Sequence, residues 1–444
     1  MPYSHGSLPE HLQPCHNLPA HPIISFLKPL LASMHFQLSN RTIFFRYAIL
    51  LCAAFVFMLP LRRVLADEQE PSCSGHAEPA TAGKPIRMIF GGDVVLGNSF
   101  LVDDIPASWD SRYFAGVQPL LKRADLVFGN LEGVLTDSKD SMKDTASGRA
   151  FAFSFPPRYA SLLRKTGFNI VNVANNHAYD FREEGYHDTL HNLEQAGILA
   201  TGPRGKIAIL NIRGFKVAMI GFTWTEKFNS MFDLDQDAEL VRQAKQQADY
   251  VIVTFHGGAE GPAAIWHGDA DEMFMGEDRG NEVAFTHAMI DAGADLAVGH
   301  GPHVLREAEC YRGHPIVYSL GNFVGVGGLS VKKVAGISAL LQVELNPEGT
   351  LRHIDLVPLR FYGSKLPRID SRQYGIRLVD YLGKHALYPG NFIEFPAKST
   401  DQMKFKTWLA DNTEPAPATV NTAVADSTSH QDAPSGQHIA LQHK

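Results

Sequence analysis

Short apolar runs alternate with amphipathic stretches along most of the chain, and this alternation predicts strands separated by helices. The apolar runs end at glycine or polar residues, whereas the longer stretches repeat apolar residues every three or four positions. Strands are predicted at residues 86–90, 125–128, 168–173, 216–222, 250–255 and 297–299, and helices at residues 113–124, 158–166, 184–195, 237–248 and 281–292. Strands that alternate with helices predict an α/β fold with a largely parallel sheet.

Three further stretches complete the predicted domain. Residues 336–345 and 353–361 alternate in polarity, which predicts an antiparallel pair of strands. Residues 137–150 are polar without a period, and we expect them to form a mobile loop. Residues 262–280 are irregular and acidic, and we expect a loop over a site at the neighbouring strand ends.

Near the N-terminus, basic residues precede an apolar run from Tyr47 to Leu59. This run is shorter than the roughly 18 residues that a membrane-spanning helix needs, and it matches the core of a secretory signal. Val64–Ala66 is a plausible cleavage site. An uncleaved anchor is the alternative, because Arg62 and Arg63 follow the run directly. Either route predicts export, to the periplasm, to the outside of the cell or to an outward-facing membrane anchor.

These features predict the organisation of the whole chain of 444 residues. Residues 1–66 form an N-terminal extension with the signal or anchor, and Met34 would give that signal a more usual start. Residues 67–84 form a polar linker and residues 85–410 the folded domain. Residues 411–444 are rich in Pro, Ala, Thr, Ser and Gln, and we expect them to be disordered.

Charge and cysteine content exclude two classes of function. The formal net charge is -7 and no long basic block is present, so nucleic acid is not an expected partner. None of the four cysteines forms a CxxC pair, which excludes a zinc knuckle and a thioredoxin motif. Export would allow Cys73 and Cys310 to form a disulfide, but the sequence leaves this pairing open.

The predicted strands end in residues that could form a site. The carboxyl ends of parallel strands lie along one edge of a sheet, so these side chains can converge. Each one alone is more typical of a cap or a core residue. Together they supply carboxylate, amide and imidazole groups without thiolate, which suits Mn²⁺, Fe or Zn²⁺. The residues are Asp93, Glu132, Asn176, His177, His256, His300 and His303.

The order of these residues resembles that of the CapA / poly-γ-glutamate capsule synthesis family, which is similar to the calcineurin-like metallophosphoesterases. The resemblance covers about residues 86–361 and implies a four-layer sandwich, with two central mixed sheets flanked by helices. The motifs are Gly92-Asp93, Asn130-Leu131-Glu132, Asn175-Asn176-His177, His256-Gly257-Gly258-Ala259-Glu260, Gly299-His300-Gly301-Pro302-His303 and Ser319-Leu320-Gly321-Asn322-Phe323.

The resemblance also implies a role for each site residue. Asp93 and His303 would hold a first divalent ion, and Glu132 would bridge it to a second. The further ligands of the second ion would be Asn176, His256 and His300. His177 would be the general acid. Weaker candidates for substrate contacts are Glu260, Arg306 and Asn322, although Arg306 could equally be a surface salt-bridge residue.

Departures from the metallophosphoesterase pattern leave the ion count open. That pattern has Asp-x-His at its first motif, but Val95 stands in the place of the histidine. The last motif has two residues between its histidines instead of one. The bridging residue, Glu132, is one methylene longer than aspartate. One ion and two ions are therefore both possible.

Three functions are compatible with these residues. The first is a metal-dependent hydrolase that uses metal-activated water on a phosphoester or an amide, in capsule or poly-γ-glutamate synthesis. Its partners would be poly-γ-glutamate or a capsule polysaccharide, together with membrane subunits of a capsule synthetase. The second is a non-catalytic subunit that binds, exports or anchors the polymer. The third is a structural metal clip.

Overall fold

The chain folds around two mixed β-sheets that share a hydrophobic core. All described residues belong to one compact unit within Glu70–Lys444. The segment predicted as a signal or anchor lies outside them, as does most of the predicted linker and tail. The structure, a computed structural model, describes residues 73, 83–97, 111–143, 151–326, 328–362, 366–386, 390–398 and 402–413.

The described residues form strands and helices in the alternating order that the sequence predicts. The strands are β1 (Ile86–Val95), β2 (Leu126–Leu131), β3 (Val134–Leu135), β4 (Ser154–Phe155), β5 (Ile170–Asn172), β6 (Leu199–Thr201), β7 (Ala208–Ile212), β8 (Phe215–Thr223), β9 (Tyr250–His256), β10 (Met273–Phe274), β11 (Glu277–Asp278), β12 (Leu296–His300), β13 (Ala308–Tyr311), β14 (His314–Val317), β15 (Asn322–Gly325), β16 (Ile337–Leu345), β17 (Leu351–Tyr362) and β18 (Leu366–Ile369). The α-helices are α1 (Gln118–Leu121), α2 (Tyr159–Thr166), α3 (Arg182–Gln195), α4 (Leu234–Lys245), α5 (Glu282–Asp291), α6 (Tyr374–Lys384) and α7 (Gln402–Asn412).

The larger sheet has the strand order β18-β17-β16-β1-β2-β5-β6, and β15 pairs with the end of β1. Strands β1, β2, β5 and β6 are parallel, whereas β16 joins β1 in antiparallel register. The smaller sheet has the order β13-β14-β12-β9-β8-β7, in which β8, β9, β12 and β14 are parallel. In each sheet, the carboxyl ends of the parallel strands therefore lie along one edge.

Hydrophobic residues from both sheets form one shared core. Phe90 and Phe128 of the larger sheet belong to the same buried cluster as Ile252 and Val298 of the smaller one. Residues that alternate with these lie on the outer faces, because successive side chains of a strand point to opposite sides. The outer face of the larger sheet packs on α2 and α3, and that of the smaller sheet packs on α4 and α5. Burial on both faces explains why the strands are almost continuously apolar.

The predicted strands, the antiparallel pair β16–β17 and the two mixed sheets that the resemblance implied are present. The largely parallel sheet that the alternation alone predicted holds only for the central strands of each sheet. The strands divide between two sheets, since hydrophobic periodicity reports burial and not the pairing partner. The helix predicted at residues 113–124 is also too long. Pro119 has no amide hydrogen, which is tolerated only in the first turn, so α1 begins at Gln118.

The structure gives further detail at both ends of the predicted domain. The tail does not begin at residue 411, because α7 continues to Asn412 and buries Phe405 and Leu409 in the shared core. Cys73, in the predicted polar linker, is buried and forms a disulfide with Cys310, with the two Cα atoms 5.6 Å apart. Within the described ranges, no helix is both long enough and apolar enough to cross a bilayer.

Candidate metal centre

The predicted site residues of the two sheets meet at the carboxyl ends of their parallel strands. Asp93 lies on β1 and Glu132 follows β2, while His256 and His300 are the last residues of β9 and β12. All four side chains are buried. The ligand atoms of Asp93, Glu132 and His303 lie within 4.8 Å of one another. We call Asp93, Glu132, Asn176, His256, His300 and His303 the metal centre.

Glycines bring the backbone segments of this region close together. A Cβ atom at Gly92 would lie 1.7 Å from the carbonyl oxygen of Gly321, so only glycine fits before Asp93. Gly301 has φ +114 and would place a Cβ atom 2.5 Å from the carbonyl oxygen of Gly257. Gly92 and Gly301 therefore allow the close backbone contacts that position the site loops.

Asp93 and His303 form a direct pair. The Nδ1 atom of His303 lies 2.9 Å from Oδ2 of Asp93. Burial opposes charge on both groups, but the hydrogen bond and charge of His303 hold the pKa of Asp93 well below its usual range. The carboxylates of Glu132 and Asp93 likewise overcome burial and raise the pKa of His303 to about 10.

Glu132 is surrounded by imidazoles but accepts no hydrogen bond from the described residues. Its Oε1 atom lies 3.6 Å from Nε2 of His303, 3.8 Å from Nε2 of His177 and 4.0 Å from Nε2 of His256. Both carboxylate oxygens are buried without a partner. Burial raises the pKa of Glu132 well above its usual value, so its ionised form requires a nearby cation.

The buried polar atoms without a partner fit a divalent ion. They belong to the residues predicted for the second ion, and they combine carboxylate, amide and imidazole groups. Burial also lowers the pKa of His300 to about 4, which keeps its imidazole neutral and able to bind a metal. The atoms are Glu132 Oε1 and Oε2, Asn176 Oδ1, His256 Nε2, and His300 Nδ1 and Nε2. A divalent ion bound to these residues would polarise a water molecule or a substrate oxygen.

His177 is held by Asp180, which the sequence analysis did not identify. The Nδ1 atom of His177 lies 2.7 Å from Oδ2 of Asp180, and the ring lies 4.1 Å from that of Phe153. Asp180 also accepts a hydrogen bond from the amide of Phe153 at 2.7 Å and pairs with Lys143 at 2.5 Å. With Nδ1 of His177 against Asp180, the Nε2 atom of the same ring faces Glu132 at 3.8 Å.

A network of asparagines was also missed. Asn130 is fully buried, and its Nδ2 atom lies 2.9 Å from both Oδ1 of Asp93 and Nδ1 of His256. Its Oδ1 atom accepts hydrogen bonds from Asn172 at 3.0 Å and Asn175 at 3.3 Å. Asn130 and Asn175 both lie inside the quoted motifs, so their positions beside Glu132 and His177 were the available signal.

The segment predicted to lie over the site contacts it through Arg279. The guanidinium of Arg279 lies 3.9 Å from the ring centre of Trp224, which stacks on His256 at 5.4 Å. Arg279 also pairs with Glu260 at 3.1 Å. The other Glu260 oxygen lies 3.8 Å from Nε2 of His303. Glu260 therefore borders the metal centre, and its contact with substrate remains a prediction.

Arg306 is not a surface residue. It is fully buried, and its guanidinium binds Glu272 at 2.7 and 2.8 Å, Glu282 at 2.7 Å and the carbonyl oxygen of Ala264 at 2.7 Å. His267 lies 2.9 Å from Glu307 beside this group. We call Arg306, His267, Glu272, Glu282 and Glu307 the arginine cluster. Because its donors already bind internal acceptors, Arg306 offers no support for the predicted contact with substrate carboxylates.

Asn322 lies next to Asp93 in the parallel pairing of β1 with β15. Its Nδ2 atom donates to the carbonyl oxygen of Ser330 at 3.0 Å, and its buried Oδ1 atom has no partner among the described residues. This placement is compatible with the predicted contact to substrate, which stays a prediction.

Comparisons with known proteins identify relatives in bacterial capsule synthesis. A profile of the family described as "Bacterial capsule synthesis protein PGA_cap" matches residues 87–326. The chain is 30% identical over 348 residues to the "Capsule biosynthesis protein CapA" of Bacillus anthracis, covering 72% of this chain and 77% of that protein. It is 30% identical over 331 residues to the "PGA biosynthesis protein CapA" of Bacillus subtilis (strain 168), covering 71% and 79%.

A solved structure with a similar arrangement is the NAD nucleotidase NadN of Haemophilus influenzae. It has a TM-score of 0.33 and 13% identity, covering 74% of this chain and 60% of that chain, a likeness too distant to bear on the site. The family profile covers more than half of the chain, and the Bacillus relatives extend the match beyond it. The chain therefore belongs to the bacterial capsule synthesis protein family PGA_cap, as its ordered motifs predicted.

Proposed function

We propose that this chain is an exported, metal-dependent hydrolase of capsule or poly-γ-glutamate synthesis. The observation that carries the proposal is the environment of Glu132. Its buried carboxylate lies among imidazoles, and neither carboxylate oxygen accepts a hydrogen bond from the described residues. Such a group is costly to bury unless a cation binds it. The names of the Bacillus relatives support the pathway. We also propose that the two sheets and their helices form the four-layer metallophosphoesterase sandwich.

The residues around the ion suit hydrolysis by metal-activated water. His177 has one nitrogen fixed by Asp180, so its Nε2 atom is the one that can exchange a proton with a substrate. Phe153 packs against the imidazole ring and fixes its orientation. His177 in its doubly protonated form would donate the Nε2 proton to the leaving oxygen or nitrogen and remain as the neutral imidazole with its proton on Nδ1. The substrate would be a phosphoester or an amide of an anionic polymer, either poly-γ-glutamate or a capsule polysaccharide.

The disulfide supports export. Cys73 and Cys310 are separated by 237 residues and are joined in the folded unit. Disulfides of this kind persist in oxidising compartments and are rare in the cytosol. We therefore propose that the folded domain works outside the cytoplasm, where membrane subunits of a capsule synthetase would be its neighbours.

The enzyme proposal is tested by turnover with a matched pair of histidine variants. Purified protein with Mn²⁺ is assayed on a phosphodiester and on poly-γ-glutamate. His177→Ala should lower the rate by about 100-fold or more, because general acid catalysis contributes that much. His191→Ala removes an exposed histidine of α3 and should leave the rate unchanged. Equal rates in the two variants would contradict the assigned role of His177.

A non-catalytic, polymer-binding subunit is the second candidate function. It is favoured by the closed pair of Asp93 and His303, since two residues predicted for the first ion bind each other. This function predicts no turnover of either substrate, with polymer binding unchanged in His177→Ala. That result would replace the hydrolase proposal with the accessory one.

A further inference from the structure

Asn130 stands between two residues predicted to bind different ions. Its Nδ2 atom lies 2.9 Å from Oδ1 of Asp93 and 2.9 Å from Nδ1 of His256. A primary amide nitrogen carries two hydrogens and accepts none, so it can donate to both neighbours at once. Asp93 and His256 therefore each use one lone pair on Asn130.

Hydrogen bonds from Asn172 and Asn175 to Oδ1 fix the orientation of the Asn130 amide. Asn175 accepts a hydrogen bond from the amide of His177 at 3.1 Å and donates to the carbonyl oxygen of Leu131 at 3.0 Å. These main-chain partners settle which Asn175 atom is nitrogen, and that nitrogen faces Oδ1 of Asn130. Asn172 makes an equivalent donation to the same oxygen. The Nδ2 atom of Asn130 must then face Asp93 and His256.

This orientation assigns the tautomer of His256. Because Nδ1 accepts a hydrogen from Asn130, the proton of the neutral imidazole is on Nε2. That nitrogen is the buried atom 4.0 Å from Oε1 of Glu132. A protonated imidazole nitrogen has no lone pair for a metal. His256 therefore presents a hydrogen-bond donor to the centre.

Both carboxylate oxygens of Asp93 also have hydrogen-bond partners. Its Oδ1 atom accepts from Asn130, and its Oδ2 atom pairs with Nδ1 of His303. Once Nε2 of His256 is assigned as a donor, the atoms of the metal centre that lack a partner and can still accept a metal belong to Glu132, Asn176 and His300. They combine carboxylate, amide and imidazole groups, which suit a divalent ion.

We infer that Asn130 keeps Asp93 and His256 out of the ligand set, so that the centre binds one divalent ion with Glu132 as its carboxylate ligand. Asp93 and His256 are then positioning and donor groups outside the ligand set. The inference rests on the proposed metal centre but not on turnover. A chain with one ion and no activity would defeat the hydrolase proposal and support this inference.

The ion count is measured by titrating Zn²⁺ into chelator-treated full-length protein, with elemental analysis after dialysis. The wild type should bind one ion. Asp93→Asn should also bind one ion, within about threefold of the wild-type affinity. Glu132→Gln, the matched change at a ligand, should bind at least tenfold more weakly. Two ions in the wild type, or equal losses in the two variants, would overturn the inference.

The role of the amide has its own test. Asn130→Asp replaces the donor by an acceptor of the same shape and should allow a second ion to bind. If the folded variant still binds one ion, Asn130 is not what excludes the second. In ¹⁵N-histidine NMR spectra of the wild type, Nε2 of His256 should remain protonated after Zn²⁺ is added. A metal-bound Nε2 signal would contradict the assignment, and this measurement needs no variant.

Discussion

The metal centre and the arginine cluster contain the same kinds of buried groups and differ in the source of their positive charge. In each, histidine and carboxylate ligand atoms lie within 4.8 Å of one another. Arg306 provides the arginine cluster with a permanent cation that binds Glu272 and Glu282 at 2.7 Å. Glu132 has imidazole nitrogens of His177, His256 and His303 within 4.0 Å, and the oxygens of its carboxylate have no hydrogen-bond partner among the described residues.

This difference separates a structural ion network from a candidate ion-binding site. Grouping histidines and glutamates by distance selects both clusters equally. The two clusters differ in whether the carboxylate lone pairs are already used. A carboxylate that accepts hydrogen bonds from a guanidinium has few free lone pairs with which to bind a metal. Both oxygens of Glu272 are engaged by Arg306. A buried carboxylate whose two oxygens both lack a partner, such as Glu132, is therefore a better guide to a binding site than residue type.

Replacement of Arg306, the internal cation of the arginine cluster, should have the largest effect on the unfolding free energy. Arg306→Met leaves two buried carboxylates unpaired, and breaking a buried ion pair in this way costs about 3–5 kcal/mol of unfolding free energy. Urea unfolding measures the change. Arg242→Met is the control, because the pair of Arg242 with Glu239 is exposed and should contribute little. Comparable losses in both variants would show that Arg306 is not a structural cation.

Added metal should stabilise the folded protein by binding at the metal centre and not at the arginine cluster. Mn²⁺ at 100 times its dissociation constant should raise the unfolding free energy of chelator-treated protein by about 2.7 kcal/mol. Glu282→Gln should keep this increment, since Glu282 belongs to the arginine cluster. Glu132→Gln should lose most of it. Thermal unfolding with and without Mn²⁺ compares the three proteins, and an increment that depends on Glu282 would reverse the two assignments.

The pH dependence of stability should give the smallest effect, and it arises in the arginine cluster. Burial, only partly offset by Arg306, raises the pKa of Glu282 to about 7 from its ordinary 4.5. Between these values the folded protein binds a proton that the unfolded chain does not, so stability falls as pH rises through this window. From pH 6 to pH 8, Glu282 should account for a loss of roughly 1 kcal/mol.

Glu282→Gln isolates this contribution. The glutamine cannot ionise, so the difference between wild type and variant should change by that amount across the range. Urea unfolding at pH 6, 7 and 8 measures it, and contributions from the metal centre cancel in the difference. A difference that stays constant with pH would show that Glu282 has the same pKa in the folded and unfolded states.

The sequence predicted the metal centre better than the arginine cluster for a physical reason. Asp93, Glu132, His256 and His300 each follow an apolar strand, and the geometry of parallel strands brings such positions to one edge. Arg306 lies between Leu305 and Glu307, and the sequence around it gives no local sign that it is buried. Its partners come from other segments, so only the folded chain reveals the pairing.

The sheets show the same limit. Local alternation located β1, β2, β9 and β12, but it could not tell that they belong to two sheets. The partner of β1 on one side is β16, which lies some 250 residues further along the chain. Pairing over such a distance is decided by the shared core and leaves no periodic signal. The role of Asn130 was missed for a similar reason. Its two hydrogen bonds exist only because the fold brings Asp93 and His256 to the same place beside it.

The most direct test of the account is the metal content of the purified protein after dialysis against metal-free buffer. We predict a divalent transition metal bound to the wild type, retained in Glu282→Gln and lost from Glu132→Gln. Elemental analysis of the three proteins, each checked for folding by thermal unfolding, gives the answer. A folded wild type without metal that also fails to take up added Mn²⁺ or Zn²⁺ would contradict the central claim.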